Sequence, residues 1–171
     1  MDIIKHHNYL IEDVNRRLFI ENQSRIHRCL DLITEEQLWY KHNPNVNSIG
    51  NLILHLCGNV TQYICAGLFQ EKDDRERDLE FSQSGTYNIQ EIREILDKTM
   101  DMIKDRIGKV TPIMLTEKFG VQGFDENGTS ILVHVTEHYS YHVGQITYLT
   151  KFLNNVDTGY YAGKDLNKKS T

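Results

Sequence analysis

Proline is nearly absent: Pro44 and Pro112 are the only two in 171 residues. A proline inside a helix costs about 3 kcal/mol, so long proline-free stretches leave helices open to the chain. Four such stretches carry the apolar spacing of threes and fours that an amphipathic helix requires. The first spans residues 2–33, with Ile3, Leu10, Val14, Leu18, Ile26, Leu30 and Ile33 on its stripe. Thr34-Glu35-Glu36-Gln37 then supplies a capping box for a short extra turn holding Leu38 and Trp39. The second begins at Asn47 or Ser48, runs to about residue 70, and is apolar around much of its circumference, as a central buried helix is. The third starts near Asn88, carries Ile92, Leu96, Met100, Ile103 and Ile107, and ends near Gly108. The fourth follows Gly128-Thr129 and runs to about residue 154. Four long helices predict an all-α four-helix bundle. No repeat or linker divides residues 1–171, so one domain is expected, its tail from about 158 fraying.

Between the helices lie two unusual connections. Residues 71–80 are a dense charge run, read most simply as a solvated loop that also rims a pocket mouth. Residues 116–128 are long for a connection in a bundle, and Phe119, Val121 and Phe124 suit a small hairpin.

Composition narrows the function. Nineteen Lys and Arg against 24 Asp and Glu, interspersed, give a formal charge of −5, which argues against capture of nucleic acid. No stretch approaches the roughly 20 apolar residues of a membrane span, and residues 1–7 lack a secretory pattern. Cys29, Cys57 and Cys65 are odd in number, show no CxxC spacing and fall in apolar helical segments. They read as reduced core residues of a cytoplasmic protein.

The informative segment is His134-Val-Thr-Glu137-His138-Tyr-Ser-Tyr-His142-Val-Gly-Gln145. Side chains four apart stand on one helix face, so an HxxxH pair presents two imidazoles to one ion. At about 100° per residue, His138 and His142 fall within the arc of Ile131, Val135, Ile146, Leu149 and Leu153, and His134 at its edge. Buried imidazoles need partners, so the pair is either hydrogen-bonded in the core or bound to a metal. His55 interrupts the most apolar helix, at Leu52-Ile-Leu-His55-Leu. With it, three neutral nitrogens leave a position open, the pattern of catalytic zinc sites. The same donors also suit nickel, copper or iron.

Two rival motifs fail. His134-Val-Thr-Glu137-His138 matches the inverted zinc-peptidase pattern, but no Glu follows Glu137 to act as the remaining ligand. No Glu has a His three residues later, which excludes a di-iron carboxylate bundle. Gln145 is a candidate to orient a ligand histidine, and Glu137 a candidate base for a hydrolase. Gly144 suggests close packing of the last helix on a neighbour. Tyr139, Tyr141 and Tyr148 suit packing or an interface, and His6, His7, His27 and His42 read as ordinary surface residues.

At Asn47-Ser-Ile-Gly-Asn-Leu-Ile-Leu-His55-Leu and Glu137-His138-Tyr-Ser-Tyr-His142-Val-Gly-Gln145-Ile, the chain resembles the DinB/YfiT-like family of metal-dependent bundle proteins. Closest is a branch catalogued as a domain of unknown function. The resemblance covers most of the chain. It implies an up-down-down-up four-helix bundle, often dimeric, with a divalent metal, usually nickel or zinc, on His55, His138 and His142. Characterised relatives include bacillithiol-type S-transferases and a mycothiol-dependent isomerase, so a low-molecular-weight thiol and a small electrophile are the expected partners. Many members carry Arg where this chain has Val143, so a role for that Arg does not transfer. The alternatives are a metal-dependent hydrolase, and a metal-binding or stress-responsive protein without turnover.

Overall fold

The structure is a computed structural model and describes residues 2–169. It is mostly helical. The first helical stretch is one rod of changing pitch. α1 (Ile3–Asn15) is capped by Asp2, whose carboxylate accepts from the Lys5 N–H at 3.1 Å. It passes through a π-helical segment (Arg16–Asn22) into α2 (Gln23–Leu30). The Thr34/Gln37 capping box forms and starts α3 (Glu35–Leu38). A second box, Ser48 with Asn51, starts α4 (Ile49–Thr61), which widens into another π-helical segment (Gln62–Leu68). In both wide segments the backbone bonds reach five residues back, as from the Phe69 N–H to the Ile64 carbonyl at 3.1 Å.

The charge run departs from its expected reading. Instead of a fully solvated loop, it leads into a short helix, α5 (Arg77–Ser82), and buries Glu80. α6 (Ile89–Ile107) begins at a third capping box, Asn88 with Glu91. β1 (Lys118–Val121) and β2 (Phe124–Asn127) pair antiparallel, Val121 opposite Phe124. Gln122 and Gly123 make the turn with φ of 55° and 82°, the two left-handed residues of a tight hairpin. Asn127 caps α7 (Gly128–Asn154) through the Ser130 N–H, and Asn155 ends it at φ 49°.

α4 is the centre of the molecule. Ile49, Leu52, Ile53, Leu56 and Val60 are buried, and the helix packs against α5, α6 and α7. Around it lie Leu18, Ile26 and Leu30 of the first rod, the Ile92–Ile107 stripe of α6, and Ile131, Leu132, Val135 and Ile146 of α7. Each fully buried Leu or Ile contributes about 1.5–3 kcal/mol relative to exposure. All three cysteines are free and buried. Burial pushes the Cys57 thiol up to about 12, which removes it as a nucleophile.

Two details differ from the sequence reading. A β-carbon on Gly144 would meet nothing within 4 Å, so this glycine serves no close helix contact among the described residues. The start of the 158–171 tail is anchored. The Tyr160 hydroxyl lies 2.8 Å from that of Thr147 and 3.1 Å from the Cys29 sulfur, and Arg28 Nε donates to the Thr158 carbonyl. Residues 170 and 171 lie outside the described residues.

Candidate metal centre

The site begins with the capping box of α4. Asn51 Oδ1 accepts from the Ser48 N–H, which aims its Nδ2 outward to donate to the carbonyls of Glu80 and Gln83, both at 2.9 Å. That clamp fastens α5 against α4. One turn after Asn51 comes His55, only 5% exposed, and Glu80 Oε2 accepts from its Nδ1 at 2.8 Å. Gly58, a further turn along, makes room: a β-carbon there would overlap the Glu80 carboxylate.

A buried carboxylate needs charge compensation, and Arg75 provides it. Its Nε donates to Oε1 at 2.7 Å and its Nη2 to Oε2 at 2.9 Å, while Nη1 donates to Gln62 Oε1 at 2.8 Å. Burial pushes the Glu80 carboxyl up, but bonds from Arg75 and His55 together outweigh it and hold the group below its ordinary value. An ionised Glu80 accepts the Nδ1 proton of His55. The Nε2 lone pair is thereby left facing the interior.

α7 delivers the other two rings. His138 Nε2 lies 3.2 Å from His55 Nε2, and the His142 ring centre lies 4.9 Å from that of His55 and 4.6 Å from that of His138. One nitrogen from each of the three lies within 4.8 Å of the others, so the trio is able to hold one ion. Gln145 Oε1 accepts from His142 Nδ1 at 2.7 Å, which turns that ring's other nitrogen toward the cluster. His138 Nδ1 is buried without a partner among the described residues.

The donor set fits a borderline divalent cation. Three imidazoles converge, and a cation between them would accept one lone pair from each. Protons are poor substitutes. Burial, reinforced by the neighbouring His142 and His55, drives His138 down to about 3, and burial also lowers His142 and His134. The sign of the consequence follows from linkage. In the unfolded chain a histidine takes a proton near 6.5, whereas folded His138 refuses one until about 3. The metal-free protein therefore loses stability progressively as pH falls from about 6.5 toward about 3. Urea unfolding in the presence of chelator at pH 7.5, 5.5 and 4.5 should show falling midpoints; a flat profile would contradict the buried neutral cluster.

The remaining candidates separate cleanly. His134 lies one turn beyond the trio, stacked on Tyr63 at 3.9 Å and on His138 at 5.4 Å. Glu137 is exposed, and Tyr141 and Tyr148 are also exposed, while Tyr139 is buried in the core. His7 and His27 are not simple surface residues: His7 Nε2 donates to the Val110 carbonyl, and His27 bridges Asp97 and Arg93. Glu80, Arg75 and Gln62 are the participants that sequence spacing did not reveal. Beside Arg75 and Glu80, on the α5 and α6 side of α4, opens a cavity of about 650 Å³ walled by Leu54, Cys57, Leu79, Ile95 and Thr99. The 116–128 connection approaches only indirectly, through Gln122 and the Tyr63 hydroxyl at 3.1 Å.

Comparison with known proteins agrees with this architecture. A crystal structure of a DinB-like protein from Bacillus cereus superposes with a TM-score of 0.64 at 17% identity, covering 79% of this chain and 87% of that one. At that identity the likeness establishes the fold. No curated protein matches the sequence. Residues 5–160 match the family described as "Protein of unknown function (DUF1572)", and the chain belongs to that family, with a DinB-like fold.

Proposed function

We propose that this chain is a divalent-metal-dependent enzyme that transfers a low-molecular-weight thiol, of the bacillithiol type, to small electrophiles. The observation that carries the reading is the convergence of His55, His138 and His142 from two helices, one nitrogen of each within 4.8 Å of the others. His55, fixed by Glu80, and His142, fixed by Gln145, would hold the ion together with His138. Nickel or zinc suits three imidazoles best, with iron or copper also compatible. A divalent cation bound there supplies stabilisation of an anionic sulfur or oxygen at neutral pH.

What surrounds the histidines supports this reaction class. Glu80 is engaged by both Arg75 and His55, so it is not free to take a proton. A free thiol ionises near 8.5 and bulk water near 15.7, so a centre whose buried carboxylate is already engaged is better suited to sulfur than to oxygen as nucleophile. In the transfer, the thiol proton goes to solvent, a carbon–sulfur bond forms at the electrophile, and the leaving group departs with its electron pair. The engaged Glu80 also favours a second reading, a metal-binding protein without turnover, over a hydrolase. We read the long helices as an up-down-down-up four-helix bundle forming one cytoplasmic domain over residues 1–171, paired as a homodimer.

Elemental analysis of the purified protein, followed by a conjugation assay with a low-molecular-weight thiol and an electrophilic dye, tests the proposal. Stoichiometric metal and metal-dependent thiol consumption are expected. Metal with ester or amide cleavage alone would replace the transferase by a hydrolase. Metal with neither activity would leave the binding protein, and absence of metal after growth with nickel and zinc would overturn the centre itself.

A further inference from the structure

A second cavity, of about 660 Å³, lies between the first helical rod and the tail, and none of its lining residues comes from α4 or α7. Its walls carry four cations: Arg17, Arg25, Arg28 and Lys164. The one acidic residue among them, Glu21, is taken up by Arg16 at 2.5 Å and Arg17 at 3.1 Å. Among the described residues, Arg25, Arg28 and Lys164 form no ion pair with a carboxylate. In a chain of net charge −5, a concavity with four cations and one carboxylate, itself already paired, runs against the charge of the whole.

The guanidinium groups are also held in place. Arg25 lies 5.4 Å from the Tyr160 ring centre and 5.8 Å from that of Tyr161, and its Nη2 donates to the Tyr161 hydroxyl at 3.1 Å. Among the described residues Arg28 donates only its Nε, to the Thr158 carbonyl at 3.2 Å, which leaves its terminal nitrogens for another acceptor. The tail that supplies these anchors is itself fastened through Tyr160 to Thr147 and Cys29. Arg25 Nη1 also lies 3.5 Å from Asn22 Oδ1, so Arg25 supplies chiefly a fixed charge, while the Arg28 fork on the same cavity wall matches the oxygens of a tetrahedral dianion.

We propose that this cavity binds a phosphate dianion, free or as the end group of a small phosphomonoester, between Arg25, Arg28 and Lys164. The half-exposed Tyr161 ring offers a flat surface for the body of an ester. The volume is that of a small-molecule site, and the net charge of −5 disfavours an extended polyanion.

The full-length protein is titrated at low ionic strength with inorganic phosphate and with phenyl phosphate, followed by calorimetry, with chloride at matched ionic strength as control. Saturable one-site binding is expected for phosphate and not for chloride. Tighter binding of phenyl phosphate would identify the ester as the preferred form, and equal binding the free anion. Arg25→Gln/Arg28→Gln should weaken binding about tenfold or more. Lys164→Gln, exposed on the tail, should weaken it several-fold without touching the fold, so the test survives if the double variant does not fold. Identical responses to phosphate and chloride would overturn the proposal. So would undiminished binding in these variants, or binding of an oligonucleotide or anionic vesicle without any response to phosphate.

Discussion

His55→Ala, His138→Ala and His142→Ala should each abolish metal binding, whereas His134→Ala should largely retain it. All four residues sit on two helices within a few turns of one another, so proximity alone does not separate them. Geometry does: the three share one small volume, while His134 is spent on stacking against Tyr63. Removal of an outer partner of a metal site typically weakens it 10–100-fold, and loss of one of three direct ligands should exceed that. Competition against a chromophoric chelator measures the loss, with chelator-stripped wild type as reference for stability. Equal loss at His134 would mean that the ion lies further along α7 than the convergence of rings indicates.

Glu80→Ala has the largest expected effect outside the histidines because it causes two losses at once. Arg75, with a side chain only 5% exposed, is left without its carboxylate, and breaking such a buried pair costs about 3–5 kcal/mol. For a chain of this size that corresponds to a fall in Tm of about 6–20 °C. His55 also loses the acceptor that orients its ring, so metal affinity should fall about 10–100-fold. Glu80→Gln keeps the shape and one acceptor oxygen, and should spare much of the stability while still weakening the metal. Gly58→Ala leaves every polar group present but drives the carboxylate out of its seat, so it should reproduce the metal defect. Thermal melts with and without chelator separate the two losses. An unchanged Tm together with affinity within twofold of wild type would show that the carboxylate is incidental.

The contrast between these two predictions marks what the sequence made legible. The trio was accessible because helical phase is a local property: four-residue spacing puts His138 and His142 together, and an imidazole amid Leu52, Ile53 and Leu56 stands out on cost alone. The capping boxes at Thr34, Ser48 and Asn88 are local in the same sense, and each is complete within four residues of sequence. Glu80 and Arg75 were hidden because a charge run reads as solvated, and their burial depends on partners far away in sequence, the Asn51 amide and the missing side chain of Gly58. A glycine three residues after a histidine in an apolar helix was the available signal. The anchoring of Tyr160 on Thr147 and Cys29 was likewise a long-range matter, invisible to any window along the chain.

The wide segment after α4 makes the neighbourhood of the histidines depend on counting as well as on chemistry. Tyr63, near its start, meets His134, and Gly67, near its end, sits where a β-carbon would come within 3.2 Å of Val121. Those two contacts are in phase because the segment holds one residue more than an ordinary turn. Relaxation of the segment to regular pitch with that extra residue retained would rotate everything downstream by about 100°. The hairpin would then lose its seat, although no side chain that touches it had been exchanged.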